Sequence, residues 1–278
     1  MPQPPTSPIP KRIFFYHGFP SLSFLRFMSV YSFQRHHPDF EIRVVVPAEL
    51  CTEQTWTTGE HASPYRGPDY SQWLTRLPIE IAPFDMRSLG LSNGLPEVCK
   101  SDILRNWLLV NQGGYWSDMD VLYVGRMNIP LDADTVYCHD GTFYYIGLIG
   151  GCRKNAFYRH ILRRALEARH DEDYQCYGTR LYRCAPERYR AMFPQLSMHN
   201  LPTSAVYPVK WVELGRFYTQ TELPPDCFGI HWFGGSAVGG RLEQGLTHDC
   251  ATEDNLVYRK VQEQCELSVW SSLAKRTG

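Results

Sequence analysis

The sequence lacks an excess of charge of either sign and has no long hydrophobic run. Its 28 Lys and Arg nearly balance its 29 Asp and Glu, so the formal net charge is −1. A partner that is bound through its phosphate backbone requires a positive excess, which argues against nucleic acid. No stretch approaches the ~20 apolar residues of a membrane-spanning helix, and the start has no signal-peptide core. The sequence therefore predicts a soluble, cytoplasmic protein without a membrane segment.

Cysteine pairs with metal-binding spacing are also absent. Nine cysteines lie between Cys51 and Cys265 without a CxxC pair, and their odd number is typical of free thiols in a reducing compartment. The length of 278 residues suits one large domain, because single cores stop growing near about 250–300 residues. The aromatic content of 14% is high; such rings either fill a core or stack on the faces of sugars.

Strand and helix patterns alternate after a proline-rich arm at residues 1–11. This alternation predicts a Rossmann-like sheet that is covered by helices. The segment 41–47 (EIRVVVP) is apolar enough to be buried on both faces, as in a parallel sheet. The predicted strands are 12–16, 41–47, 78–84, 115–124, 135–138, 142–151, 205–209 and 227–231, and the predicted helices are 22–33, 97–111, 155–170 and 255–267.

Two carboxylates, Asp118 and Asp120, interrupt the predicted strand at 115–124. At a turn near a strand end they can converge on one divalent cation and its bound diphosphate, because hard oxygen ligands suit Mg²⁺ or Mn²⁺. Such a cation stabilises a departing nucleoside diphosphate. An isolated D-x-D pair is common, so the interpretation depends on the residues around it.

Those surroundings resemble a known family. Residues 100–105 (KSDILR) and 113–121 (GGYWSDMDV) are similar to the DXD-containing sugar-binding glycosyltransferases, which include Golgi-type mannosyl- and galactosyltransferases and the catalytic domains of glucosylating toxins. Residues 9–13 (IPKRI) match the family's usual first strand. The resemblance implies a GT-A type α/β fold, a single domain at 12–278 with a Rossmann-like mixed central sheet flanked by helices. Its nucleotide-sugar part would span about 12–125 and its acceptor part about 126–278.

The resemblance also implies roles for individual residues. Asp102 and Arg105 would face the donor sugar, Asp118 would touch the ribose and the sugar, and Asp120 would bind the metal. For Asp102 and Arg105 the alternative is an exposed i,i+3 ion pair on a helix. All four are predicted catalytic residues.

The segment 228–236 (FGIHWFGGS) resembles the late family segment that returns to the metal and diphosphate. It predicts His231 as a third metal ligand or a phosphate ligand and adds Ser236 to the donor site; a hydrogen-bonded core histidine is the alternative. At the end of the first strand, His17 or Tyr16 would approach the nucleotide base.

The sequence departs from the family pattern at several positions. Phe233 and Ala237 replace tryptophans of the late segment, and Ile146 replaces an asparagine in 143–151. The stretch 177–180 matches the family only at Gly178, so its predicted acceptor contact is weaker. The loop at 56–70 lies where acceptor specificity usually diverges.

The sequence therefore predicts a metal-dependent glycosyltransferase that uses Mn²⁺ or Mg²⁺ and a nucleoside diphosphate sugar, with UDP favoured over GDP. The predicted acceptor is a hydroxyl of a glycan, a lipid-linked sugar or a protein. The resemblance suggests retention of configuration, for which no dedicated protein base is required. One alternative is a non-catalytic carbohydrate-binding module with the same fold. Another is an aspartyl phosphotransferase, which residues 113–117 disfavour because that motif normally ends an apolar strand.

Overall fold

A computed structural model describes residues 8–51, 65–168 and 175–264 of the chain. Its strands form a seven-stranded sheet in the order β3-β2-β1-β4-β7-β6-β8 and a two-stranded sheet of β5 and β9. The strands are β1 (Arg12–Tyr16), β2 (Glu41–Pro47), β3 (Glu80–Phe84), β4 (Gly114–Ser117), β5 (Val121–Tyr123), β6 (Thr135–His139), β7 (Tyr144–Gly151), β8 (Met198–Leu201) and β9 (Gly229–His231). The helices are α1 (Phe24–His36), α2 (Ser71–Leu74), α3 (Glu97–Asn111), α4 (Ala156–Glu167), α5 (Pro186–Met192), α6 (Ala237–Gly245) and α7 (Leu256–Gln264).

The central strands are apolar on both faces because helices cover both sides of the sheet. On β1, Ile13 and Phe15 pack in the same core cluster as α1, whereas Phe14 and Tyr16 pack with α3 and α4. Successive side chains of a strand point to opposite faces, so α1 lies on one face and α3 on the other. Strands β1, β2 and β3 are parallel, while β7 is antiparallel to β4. This mixed, helix-covered sheet confirms the predicted architecture.

The chain enters β4 through two glycines with positive φ. Gly113 (φ 71°) and Gly114 (φ 117°) follow the end of α3. A Cβ on Gly113 would lie 2.7 Å from the backbone nitrogen of Arg153, and one on Gly114 would lie 2.6 Å from the carbonyl oxygen of Arg12. Only glycine combines this backbone conformation with such close approach. The two glycines therefore set the direction in which β4 delivers the acidic residues.

The two acids lie where the chain changes sheets. Strand β4 belongs to the main sheet, residues 118–120 form a turn, and β5 pairs with β9 in the small sheet. The predicted interruption of the strand at 115–124 is thus a change from one sheet to the other. Because β9 is antiparallel to β5, with Val121 opposite His231, the late segment is brought next to the acids.

Several parts of the second half differ from prediction, among them helix α5, which was not predicted. The predicted strand at 205–209 is wrong, because Thr203–Ala205 is a 3-10 turn and the strand of this region that joins the sheet, by pairing with β6, is β8. Helix α6 was not predicted, since its sequence AVGGRLEQG carries glycines of low helix propensity.

Several sequence predictions fall at the edges of the described residues. Positions 56–64 of the loop predicted at 56–70, and the end of the last predicted helix, lie outside them. Eight cysteines lie within them, all as free thiols. No helix in the described part of the chain is long and apolar enough to cross a membrane.

Candidate metal and donor site

Three side chains that can bind a metal converge at the change of sheets. Asp118, Asp120 and His231 each offer a ligand atom, and these atoms all lie within 4.8 Å of one another. Their side chains are 26%, 13% and 9% exposed, respectively. The structure therefore brings together all three residues that the sequence predicts as metal ligands, although Asp120 and His231 are far apart in sequence.

Asp118 is held by the main sheet. Its backbone N–H donates to the carbonyl of Gly147 on β7 at 2.7 Å. The Trp116 indole N–H donates to Asp118 Oδ1 at 2.8 Å, and Arg105 Nη2 lies 3.3 Å from the same oxygen. With one oxygen fixed in this way, the carboxylate orientation is set before any ligand arrives.

Asp120 is held by the late segment. Its Oδ2 accepts the backbone N–H of Gly234 at 2.7 Å, Oδ1 lies 3.2 Å from His231 Nε2, and its carbonyl accepts the N–H of Trp232. Burial alone would raise the pKa of Asp120, but the His231 imidazole, Arg26 and the Gly234 N–H lower it to well below its usual range. The carboxylate is therefore ionised at neutral pH, as metal binding requires.

His231 lies against a glycine that has no room for a side chain. A Cβ on Gly147 would lie 2.7 Å from His231 Cδ2, 2.8 Å from Nε2 and 2.9 Å from the Tyr207 hydroxyl. On the other side of the ring, Nδ1 accepts the N–H of Phe233 at 3.2 Å, which places the proton of a neutral ring on Nε2. Nε2 is the ring nitrogen that faces Asp120, at 3.2 Å from its Oδ1.

Asp102 and Arg105 form a buried pair rather than an exposed one. Their side chains are each 5% exposed, and Arg105 Nη2 lies 2.6 Å from Asp102 Oδ1. Arg105 Nη1 also donates to the carbonyl of Ile146 at 2.8 Å. Because Arg105 contacts Asp118 as well, the four predicted catalytic residues occupy adjoining positions at one site. The alternative of an exposed ion pair is excluded by this burial.

The two candidates for the nucleotide base have different surroundings. The Tyr16 hydroxyl donates to Glu97, and burial together with that carboxylate raises the pKa of Tyr16. His17 Nδ1 is buried and has no hydrogen-bond partner among the described residues. Burial and the nearby Arg26 lower the pKa of His17 to about 4, against the opposing charge of Asp69, so its ring is neutral at pH 7. A neutral ring with an unused nitrogen favours His17 over Tyr16.

Ser236 lies in the late turn but already has a structural partner. It is the N-cap residue of α6, and its hydroxyl accepts the N–H of Gly239 at 2.8 Å. The preceding Phe233 has a φ of 55°, an uncommon conformation for a bulky residue. The turn points the Gly234 N–H at Asp120, so the late segment shapes the site through backbone groups as well as through His231.

The donor set suits a hard divalent cation such as Mn²⁺ or Mg²⁺. The ligand atoms of two carboxylates and one imidazole lie within 4.8 Å of one another, and three protein ligands leave positions for water and phosphate oxygens on a six-coordinate cation. The space that Gly147 leaves open lets the imidazole lie between β7 and Asp120. The residues present therefore fit the metal that the sequence predicts.

Sequence reasoning missed several residues that build the site. Gly147, Trp116 and Arg26 carried no individual signal. Gly178 matched the family but only as a weak acceptor contact, whereas a Cβ on it would lie 2.8 Å from Asp102 Oδ2. Only the glycines within an otherwise apolar strand pattern could have indicated a close approach at Gly147.

The fold is that of a solved glycosyltransferase domain. The structure matches the PaToxG glycosyltransferase with a TM-score of 0.50 and 15% sequence identity, over 68% of this chain and 72% of that chain. At this identity the likeness shows the shared fold, which is the predicted GT-A type. No family model matches the sequence, and no curated protein does.

Two further solved structures are similar at lower TM-scores. The glycosyltransferase GlyE of Streptococcus pneumoniae matches with a TM-score of 0.47 and 9% identity, over 96% of this chain and 62% of that chain. The galactosyltransferase LgtC, solved with donor and acceptor sugar analogs, matches with a TM-score of 0.43 and 14% identity, over 90% and 94%.

Proposed function

We propose that this protein transfers a sugar from a nucleoside diphosphate sugar to a hydroxyl group, using Mn²⁺ or Mg²⁺. The observation that carries the proposal is the convergence of Asp118, Asp120 and His231 beside the buried Asp102–Arg105 pair. Arg105 is cationic, and the other four side chains are acidic or can bind a metal. Together at one site, they suit a substrate that has a diphosphate and a sugar.

Asp118, Asp120 and His231 would hold the metal, with Asp118 placed to reach the ribose and the sugar as well. A bound cation would neutralise charge on the departing diphosphate. The protein groups need no reorganisation for this, since Asp120 is oriented by the Gly234 N–H and Asp118 by Trp116 and Arg105.

Arg105 and Asp102 would bind the donor sugar. Arg105 is fixed by three oxygen partners, one each from Asp102, Asp118 and Ile146. The guanidinium, held in this way, orients the carboxylates of Asp102 and Asp118, which can then accept hydrogen bonds from sugar hydroxyls. Fixed orientation of the sugar ring places its anomeric carbon near the acceptor.

In the transfer step, the bond between the anomeric carbon and the phosphate oxygen breaks and the acceptor oxygen bonds to the same carbon. The departing phosphate oxygen takes the acceptor proton on the same face, so configuration is retained and no protein base is assigned. We propose UDP over GDP as the nucleotide, with His17 or Tyr16 at the base.

Aromatic rings beside the metal ligands support a glycan as acceptor, in preference to a lipid-linked sugar or a protein. Trp211 is 39% exposed, and its ring lies 5.5 Å from that of Phe233, which in turn lies 4.4 Å from the His231 ring. Such rings stack on the apolar faces of sugars. The Tyr207 ring contacts the rings of both Phe233 and Tyr145, so the aromatic cluster beside the metal ligands extends to Tyr145.

The test is a thermal-shift panel of UDP- and GDP-sugars with and without Mn²⁺. A ligand at 100 times its dissociation constant stabilises the native state by about 2.7 kcal/mol, which corresponds to roughly 5 °C for a chain of this size. We expect one donor to raise the melting temperature only when Mn²⁺ is present, and Asp120→Asn to abolish that shift and the metal-dependent activity while the variant stays folded. Metal-independent shifts, or normal turnover by Asp120→Asn, would contradict the site assignment. Binding without hydrolysis or transfer would indicate the carbohydrate-binding alternative.

A further inference from the structure

Arg26, in the first turn of α1, lies beside the metal ligands although neither sequence pattern nor resemblance indicated it. Its Nη2 atom lies 2.7 Å from the position that a Cβ of Gly234 would occupy, and Asp120 Cβ lies 3.4 Å from the same point. The guanidinium therefore lies against the turn whose N–H group holds Asp120. Its side chain is 13% exposed.

Glu243 of α6 fixes the orientation of this guanidinium. Arg26 Nη2 and Nε lie 2.8 and 2.9 Å from its two carboxylate oxygens, which is the bidentate arrangement of an arginine and a carboxylate. Ser23 Oγ and the Trp232 indole N–H donate to the same carboxylate at 3.1 and 3.4 Å. The pair therefore positions one edge of the guanidinium and links α1 to the segment that carries His231.

The other surroundings of Arg26 belong to the nucleoside end of the proposed donor site. Its guanidinium carbon lies 4.2 Å from the centroid of the Phe19 ring, in the loop between β1 and α1. Phe19 is 42% exposed and contacts the His17 ring at a centroid distance of 6.4 Å. Arg26 thus lies between the loop that would receive the nucleoside and the carboxylate that would bind the metal.

The diphosphate is the part of the donor that lies between the nucleoside and the metal-bound end. It carries negative charge at both phosphates, and arginine binds phosphate oxygens through a planar fork that is only weakly hydrated. We propose that Arg26 is the protein cation that binds the diphosphate of the donor, with Glu243 as the residue that positions it. This inference rests on the proposed function, and it adds a binding group to the metal ligands.

Glu243 has an electrostatic consequence as well as a positional one. Its negative charge faces Arg26 at hydrogen-bond distance and reduces the field that Arg26 exerts on a bound anion. Glu243→Gln keeps an oxygen acceptor for Arg26 and removes that charge. The two variants of the pair therefore have opposite expected effects: Arg26→Gln weakens anion binding, and Glu243→Gln strengthens it.

The test measures inorganic pyrophosphate binding by calorimetry, with and without Mn²⁺, for the full chain. We expect Arg26→Gln to weaken binding in the presence of Mn²⁺ by about tenfold or more, and Glu243→Gln to tighten binding, most clearly without metal. The control is Arg12→Gln, which removes one charge at the opposite end of β1, where Arg12 pairs with Glu41. Thermal unfolding of each variant verifies that it is folded, and Arg26→Lys serves in place of Arg26→Gln if the latter is not.

Three outcomes separate this inference from the proposed function. If both variants weaken pyrophosphate binding equally, or if neither changes it, Arg26 does not bind the diphosphate, whatever the donor panel shows. If binding depends on Arg26 as expected but no nucleotide sugar binds or reacts, the Arg26 site stands and the glycosyltransferase proposal fails. If the wild-type protein binds neither pyrophosphate nor a nucleotide sugar, both are refuted.

Discussion

Substitution of Gly147 by alanine tests the geometry of the metal site without altering any metal-binding group. The added Cβ would lie 2.7 and 2.8 Å from two atoms of the His231 ring, whereas carbon atoms in contact are about 3.5–4.0 Å apart. The imidazole, or β7 itself, must therefore move by roughly 1 Å. Metal–ligand distances tolerate only about 0.2 Å, so His231 would no longer bind a cation that Asp118 and Asp120 hold.

The expected loss in metal affinity follows from that displacement. Residues that only orient a metal ligand typically alter affinity by about 10–100-fold when they are changed, so we expect Gly147→Ala to weaken Mn²⁺ binding by this factor. Retreat of β7 is opposed by its pairing with both β4 and β6, which leaves the His231 ring as the group that moves.

The assay is titration of free Mn²⁺ by electron paramagnetic resonance. Gly215→Ala is the matched control, because a Cβ at Gly215 meets no atom within 4 Å. In a double-mutant cycle, Gly147→Ala should have no further effect once His231 is replaced by alanine. Wild-type Mn²⁺ affinity in Gly147→Ala, or additive losses in the double variant, would show that His231 does not bind the metal.

Two further predictions concern buried charged or titratable groups. Arg105→Ala leaves Asp102 and Asp118 without their shared cation, so we expect it to lower the free energy of unfolding by about 3–5 kcal/mol. Arg105→Lys should stay folded and raise the dissociation constant of the donor more than that of Mn²⁺. An unchanged dissociation constant of the donor would count against the assigned role. Burial, with the nearby His36 and Arg126, lowers the pKa of His37 to about 4 despite its hydrogen bond to the Phe33 carbonyl and the charge of Asp39. Because this folded-state pKa lies below the unfolded value of ~6.5, His37 stabilises the fold fully above about pH 6.5, and that contribution falls as the pH drops towards 4. When thermal unfolding is measured at about pH 7 and at pH 4.5, the stability of His37→Gln should therefore fall less between the two pH values than that of the wild type. Equal losses would refute the lowered pKa of His37.

Sequence patterns predict those elements whose residues determine them locally. The bounds of β1, β2 and α3 agree with prediction because β1 and β2 are apolar on both faces and α3 ends just before two glycines. Strand β8 (MHNL) has half-buried polar residues, and its position depends on pairing with β6 rather than on composition. Helix α6 depends on the Ser236 cap and on the burial of Leu242 and Glu243. Tertiary contacts thus override weak local preferences in the second half of the chain.

The candidate site shows the same division. Asp102, Arg105, Asp118 and Asp120 lie within one short motif and could be identified from its spacing. The contact between Arg26 and Glu243 joins residues 217 positions apart, and the role of Gly147 depends on a ring that arrives from β9. No local pattern encodes such contacts, so they can be found only once the strands are in place.

The change of sheets at residues 118–120 has a consequence for the order of synthesis. The backbone of Asp118 is hydrogen-bonded to β7 of the main sheet, and that of Asp120 to the chain just after β9. A ribosome that has made the chain as far as Phe228 has produced the whole acidic motif, but neither the partner of β5 nor the third candidate ligand. If the proposed site is correct, a nascent chain of that length lacks one of the three candidate ligands, so we expect it to bind Mn²⁺ more weakly than a chain in which β9 has paired with β5.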